Sequence, residues 1–177
     1  MNKVGLLLDE LHDAQTDLAA KYRATAGREA AEQDVYYLCH TLAEQTDAQA
    51  EWTRSTAHAY GKEIAEPHRL GAGEGIVDTV REKTSHLIGR RPESGIVLLR
   101  DLRQLYMMAE GVNIHWIMLG QVAQALRNHE LLSDVSMRHK QTLTQIKWLK
   151  TKIKESTPQT IAAGQPEPAS TTAGHDQ

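Results

Sequence analysis

With 177 residues and a formal net charge of −3, the chain fits one domain around a single core and has no global pull toward nucleic acid. Hydrophobic residues make up 40%, enough to fold, but Phe is absent and aromatics are only 5%, so the core must come from Leu, Ile, Val, Ala and Met with a few Trp and Tyr. The lone cysteine, Cys39, excludes an intrachain disulfide.

The N-terminus "MNKVGLLLDELHDAQ" meets acids after a short apolar run, which makes a poor signal peptide. No stretch approaches the roughly 20 apolar residues of a membrane span. The expectation is a soluble, cytoplasmic protein.

Four segments carry helical periodicity. Segment A, 3–26, steps through Val4, Leu8, Leu11, Leu18 and Tyr22, with Gln15 in the middle slot and Gly27 as the expected break. Segment B, 29–61, steps through Val35, Leu38, Leu42 and Trp52, with Gln45 and Gln49 between. Tyr60-Gly61 reads as its stop, because glycine suits a left-handed cap.

Glycines at 71, 73 and 75 follow Pro67 and mark a loop. A Gly-x-Gly-x-Gly can cradle phosphate, but no strand precedes this one and no Gly-Lys-Ser/Thr follows. A short helix over 76–88 is expected next, before the break at "GRRPESG".

Segment C, 94–127, has the cleanest stripe: Leu98, Leu102, Leu105, Ala109, Val112, Trp116, Leu119, Ala123 and Leu126. Its alternating steps of four and three mark the seam of closely packed, nearly aligned helices. Segment D, 130–155, carries Leu132, Val135, His139, Thr142, Ile146, Leu149 and Ile153. After Pro158 the composition turns to Pro, Ala, Gly, Ser and Thr, which cannot bury enough apolar surface to offset ordering entropy. Residues 1–156 are therefore read as a helical domain and 157–177 as a disordered tail.

Helices joined by almost nothing must run antiparallel, which describes A–B and C–D. The B–C connection of about thirty residues is long enough to cross the bundle. The segment midpoints fall near Gln15, Gln45, Glu110, and His139 with Thr142, where each stripe turns polar. Asn113 lies on the same side of C as Glu110. Grouping such residues at one level would let them satisfy one another, since a buried polar group left alone costs about 1–3 kcal/mol.

On this topology, and on the run "LAEQTDAQAEW", the chain resembles the ferritin-like superfamily over roughly residues 3–155. The resemblance implies an all-α, antiparallel four-helix bundle with a long B–C crossover. It also implies a di-iron centre, with a Glu on the first and third helices and Glu-x-x-His on the second and fourth. Carried over, Glu110 stands for the third-helix Glu and Glu44 for the second-helix Glu, with Asp47 in the place of its His. His139 stands on the fourth helix, but Ser136 replaces the Glu three residues before it. Helix A offers Asp13 or Asp17.

The implied ligand set is thus incomplete, and glutamines, which bring no charge to a cation, occupy the middle. The reading that follows is a binding or assembly protein with a lost or degenerate di-iron centre. Its partner would be a second copy or another helical protein. The rival is a metal-dependent, oxidoreductase-like protein using Glu44, Asp47, Glu110 and His139 for iron. A third reading, a ligand-binding bundle, expects a pocket near Gln45 and His139.

Other motifs have plain accounts. Cys39 and His40 point about 100° apart on a helix, poor geometry for a catalytic pair, so Cys39 reads as a core residue. Lys147, Lys150 and Lys154 share one face near the end of D, where cations suit the helix dipole.

Overall fold

The computed structural model describes residues 3–30, 32–65 and 92–162. They form four helices and no strand: α1 (Lys3–Arg28), α2 (Gln33–Ala59), α3 (Pro92–Ala125) and α4 (His129–Thr157). A π-helical turn, Pro158–Ala162, follows α4. The expected short helix over 76–88 and the glycine loop lie outside the described residues, as does the tail beyond 162.

The helix ends are set by local chemistry. Gly27 does not break α1. Glu29 N–H still reaches the Thr25 carbonyl at 2.9 Å, so helical bonding continues past the glycine. Gly61, by contrast, takes φ +73° after α2. Its N–H meets the His58 carbonyl at 2.9 Å and Lys62 N–H meets the Ala57 carbonyl at 3.0 Å, a Schellman closure that needs a left-handed residue. The same pair of bonds ends α3, from Arg127 N–H to Gln124 O and from Asn128 N–H to Ala123 O. There the left-handed position is held by Arg127, at φ 54°. Asn128 then caps α4, its Oδ1 accepting from Leu131 N–H at 3.0 Å.

The core is aliphatic, as the composition requires. Every member of the α3 stripe from Leu98 to Ala123 is buried, while Leu126, beyond the helix end, is exposed. Leu8, Leu11, Leu18 and Tyr22 of α1 and Val35, Cys39 and Leu42 of α2 join it, with Val135, Ile146 and Leu149 of α4.

Charged contacts record which ends meet. Lys62 pairs with Asp9 at 2.7 Å, and Arg23 pairs with Asp47, linking α1 to α2. Asp101 of α3 is buried between Lys21 at 3.0 Å and Arg28 at 2.7 Å, both on α1. Against α4, a Cβ built on Gly120 of α3 would lie 3.7 Å from Val135. The α2–α4 seam is polar. Asp34 pairs with Lys152, Gln45 with Gln145, Gln49 with Gln141, Trp52 with Asp134, and Tyr60 with Asn128.

The turn after α4 folds back on the start of α3. A Cβ on Gly95 would come within 2.7 Å of the Thr160 side chain, so the missing side chain admits the approach. The composition reading placed these residues in the tail. No described helix is long and apolar enough to cross a membrane.

A non-glycine residue in the left-handed region carries roughly 1–2 kcal/mol of strain, partly offset in glycine by its greater unfolded-state freedom. Arg127→Gly is therefore expected to stabilise the fold by about 0.5–1 kcal/mol. A urea melt showing no gain would mean that the Arg127 side chain makes a compensating contact.

Candidate functional site

The middle of the bundle is a polar layer assembled from three helices. Trp116 of α3 is fully buried, so its indole N–H needs an acceptor there. It donates to Thr142 Oγ1 at 3.1 Å. The Thr142 hydroxyl passes its own hydrogen to Gln49 Oε1 at 3.3 Å. Gln49 Nε2 donates to Gln141 Oε1 at 3.2 Å and reaches the Arg138 carbonyl at 3.4 Å. One turn on, Tyr22 donates to Gln145 Oε1 and Gln145 Nε2 donates to Gln45 Oε1, both at 3.4 Å. Burial pushes the Tyr22 hydroxyl pKa strongly upward, so it stays a neutral donor.

A second polar chain runs along the α3–α4 groove. Glu110 accepts from Tyr106, and this bond, with the carboxylate's charge, raises the Tyr106 pKa. Asn113 Nδ2 donates to Glu110 Oε2 at 2.9 Å. Asn113 Oδ1, an acceptor only, faces His139 Nε2 at 2.6 Å, so that ring nitrogen carries the hydrogen. Partial burial lowers the His139 pKa, which favours the neutral ring.

The four candidate ligands are placed in two groups. Glu110 and His139 are half-buried and joined through Asn113. Glu44 and Asp47 are exposed on α2, and Asp47 is engaged by Arg23. Within Glu44-Gln45-Thr46-Asp47, only Thr46 is buried, and its hydroxyl donates back to the Leu42 carbonyl at 2.7 Å. Gln45 sits on the exposed rim, not on the inward stripe expected of it. Asp13 and Asp17 are exposed as well. Among the described residues, no three His, Cys, Asp or Glu side chains converge as an ion would need.

A groove of about 480 Å³ lies between the end of α2 and the start of α4, bordered by Trp52, Tyr60, Asn128, Glu130 and Asp134. Neither Gln45 nor His139 lines it. Trp52 is held on its edge by Asp134 and on its face by the Arg138 guanidinium, 4.1 Å from the ring centre.

Two features escape the stripe analysis. Gln15 is fully buried, yet neither amide atom has a hydrogen-bond partner, and His12 Nδ1 one turn earlier makes no hydrogen bond, approaching only the Asp13 carboxylate at 3.8 Å. The other is the charged cluster at Asp101. Lys21 and Arg28 stand seven residues apart, on one face of α1, which was the available signal. Glu29 is also buried there, and desolvation followed by the like charge of Asp101 raises its pKa above the ordinary 4.5. Cys39 nearby is pushed up to about 12 by burial and the same two carboxylates, which keeps it an unreactive thiol.

No family model matches the chain, and no curated protein or solved structure matches it.

Replacing Gln15 by Met keeps the volume and removes two unpaired polar atoms. Gln15→Met is expected to stabilise the fold by about 1–3 kcal/mol in chemical denaturation. A loss of stability would mean that the amide has a bonding partner in solution, such as an ordered water. For Glu29 the folded-state pKa lies above the unfolded one, so folding favours the protonated acid and stability is lost as pH rises through the folded value. Glu29→Gln should therefore stabilise the protein near pH 7, with the gain fading below the ordinary pKa of 4.5. Melting curves at the two pH values test this, and a gain independent of pH would remove the electrostatic explanation.

Proposed function

We propose that the chain is a ferritin-like, antiparallel four-helix bundle whose di-iron centre is lost, serving as a binding or assembly protein. The order of the pairings supports the antiparallel arrangement. Residues 34, 45, 49, 52 and 60 of the α2 strand of contacts meet 152, 145, 141, 134 and 128 in turn. Tyr60 thereby lies beside Asn128 at the start of α4, while Gly95 at the start of α3 lies beside Thr160 past the end of α4, which supports a connection of the crossover kind.

The loss of the centre rests on one observation. Asn113 stands between Glu110 and His139, bonded to each, so the carboxylate and the imidazole are both engaged by one amide side chain. The layer beside it is made of amides and hydroxyls, which hold helices in register without adding charge. A buried, high-pKa thiol that needs no disulfide suits a cytoplasmic setting.

Expression in iron-rich medium followed by metal analysis separates this role from iron chemistry. The expected result is well under one iron per chain, unchanged in Glu110→Ala and His139→Ala. Stoichiometric iron that disappears in both variants, with helical content retained, would replace the assembly role with a metal-dependent one.

A further inference from the structure

The outer face of α3 is apolar where a soluble bundle should be polar. Met107 is 61% exposed, Ile114 55%, Ile117 48% and Met118 46%, all on one helix. Met107, Gly111, Ile114 and Met118 follow one another by steps of four, three and four, so they form a seam opposite the buried stripe. About half of each large side chain is bare, which gives a patch of several hundred Å², the size at which an exposed apolar surface marks an interface.

We propose that this face of α3 pairs with the same face of a second copy, the two helices crossing antiparallel about a two-fold axis between Val112 and Asn113. The dimer rests on the assembly role proposed above and gives it a partner and a register.

Three observations fix the occupant. The seam is its own mirror about that point. In antiparallel pairing Met107 meets Met118 of the other copy, and Ile114 meets Gly111. A two-fold interface demands such self-complementarity. Gly111 is also the hole the pairing needs. It lies in the middle of a helix, where glycine costs about 1 kcal/mol relative to alanine. Yet a Cβ there would meet nothing within 4 Å, so packing inside the protomer does not require it. The Ile114 side chain of a second copy would occupy that space.

Charge selects the direction. Arg100 and Arg103 are exposed near the start of the face, and the last turn of α3 carries no basic residue. Antiparallel pairing sets these arginines against the C-terminal turn of the partner's α3, the partially negative end of a helix. Parallel pairing would instead set arginine against arginine.

Sedimentation of the full chain provides the first test. The wild type is expected to run as a dimer at micromolar concentration. Ile114→Arg should run as a monomer with unchanged helical content, because the side chain points outward. Cysteine trapping tests the register, since Cys39 is buried and stays out of the reaction. A mixture of Met107→Cys and Met118→Cys chains should form a disulfide-linked pair on mild oxidation, and each variant alone should not. Linkage within either variant alone would overturn the antiparallel register. A dimer that survives Ile114→Arg would overturn the choice of face. A wild-type monomer with this face protected from hydrogen exchange would assign the covering to residues 66–91 of the same chain and overturn the dimer. None of these outcomes depends on iron content, so the dimer and the loss of the metal centre stand or fall separately.

Discussion

The hydrogen bond from Trp116 to Thr142 organises the bundle. A tryptophan buried this deeply contributes a large apolar surface, but its N–H must be matched or the gain is eroded by about 1–3 kcal/mol. Thr142 provides that match and hands its own hydrogen to Gln49, so one indole commits α3, α4 and α2 to a single register. A slip of one residue in any of them would leave at least two buried polar groups unpaired. Aliphatic packing around the layer supplies the favourable energy, and the layer decides which of the possible packings is used.

The same logic explains why α2 and α4 are joined by polar side chains along their whole shared length. α1 lies between α2 and α3 through leucine and alanine contacts, and α3 packs on α4 in the same way. The α2–α4 seam lacks that apolar content and is closed by Gln–Gln, Trp–Asp and Tyr–Asn pairs. These part-buried hydrogen bonds each contribute about 0.5–1.5 kcal/mol net, and leaving one unmade would cost more, so they serve register. The buried Asp101 differs in kind. Two cations from α1 neutralise it, while burial, and after it the like charge of Asp101, raises the pKa of both Glu29 and Cys39.

Function follows from how these polar groups are spent. Glu110 and His139 are the two candidate ligands that the fold brings near each other, and Asn113 ties them into one hydrogen-bonded chain with Tyr106. The outer side of α3 carries exposed apolar side chains at Met107, Ile114, Ile117 and Met118.

Periodicity alone determined the four helices, the aliphatic core and the polar character of the middle, because a helix repeats every 3.6 residues and burial writes that period into the sequence. Tyr60-Gly61 was readable as a helix end because the chemistry of a left-handed cap is local. Gly27 was not, because whether a glycine ends a helix depends on whether the next carbonyl finds a partner, and Glu29 provides one. Tertiary structure alone decided that Thr46 and not Gln45 faces inward, that Asp47 belongs to Arg23, that Gln15 is left without a partner, and that Asn113 separates Glu110 from His139. Each of these depends on the rotation and height of one helix against another. A stripe three residues wide fixes that rotation only to within one side chain, and contacts between distant segments set the rest.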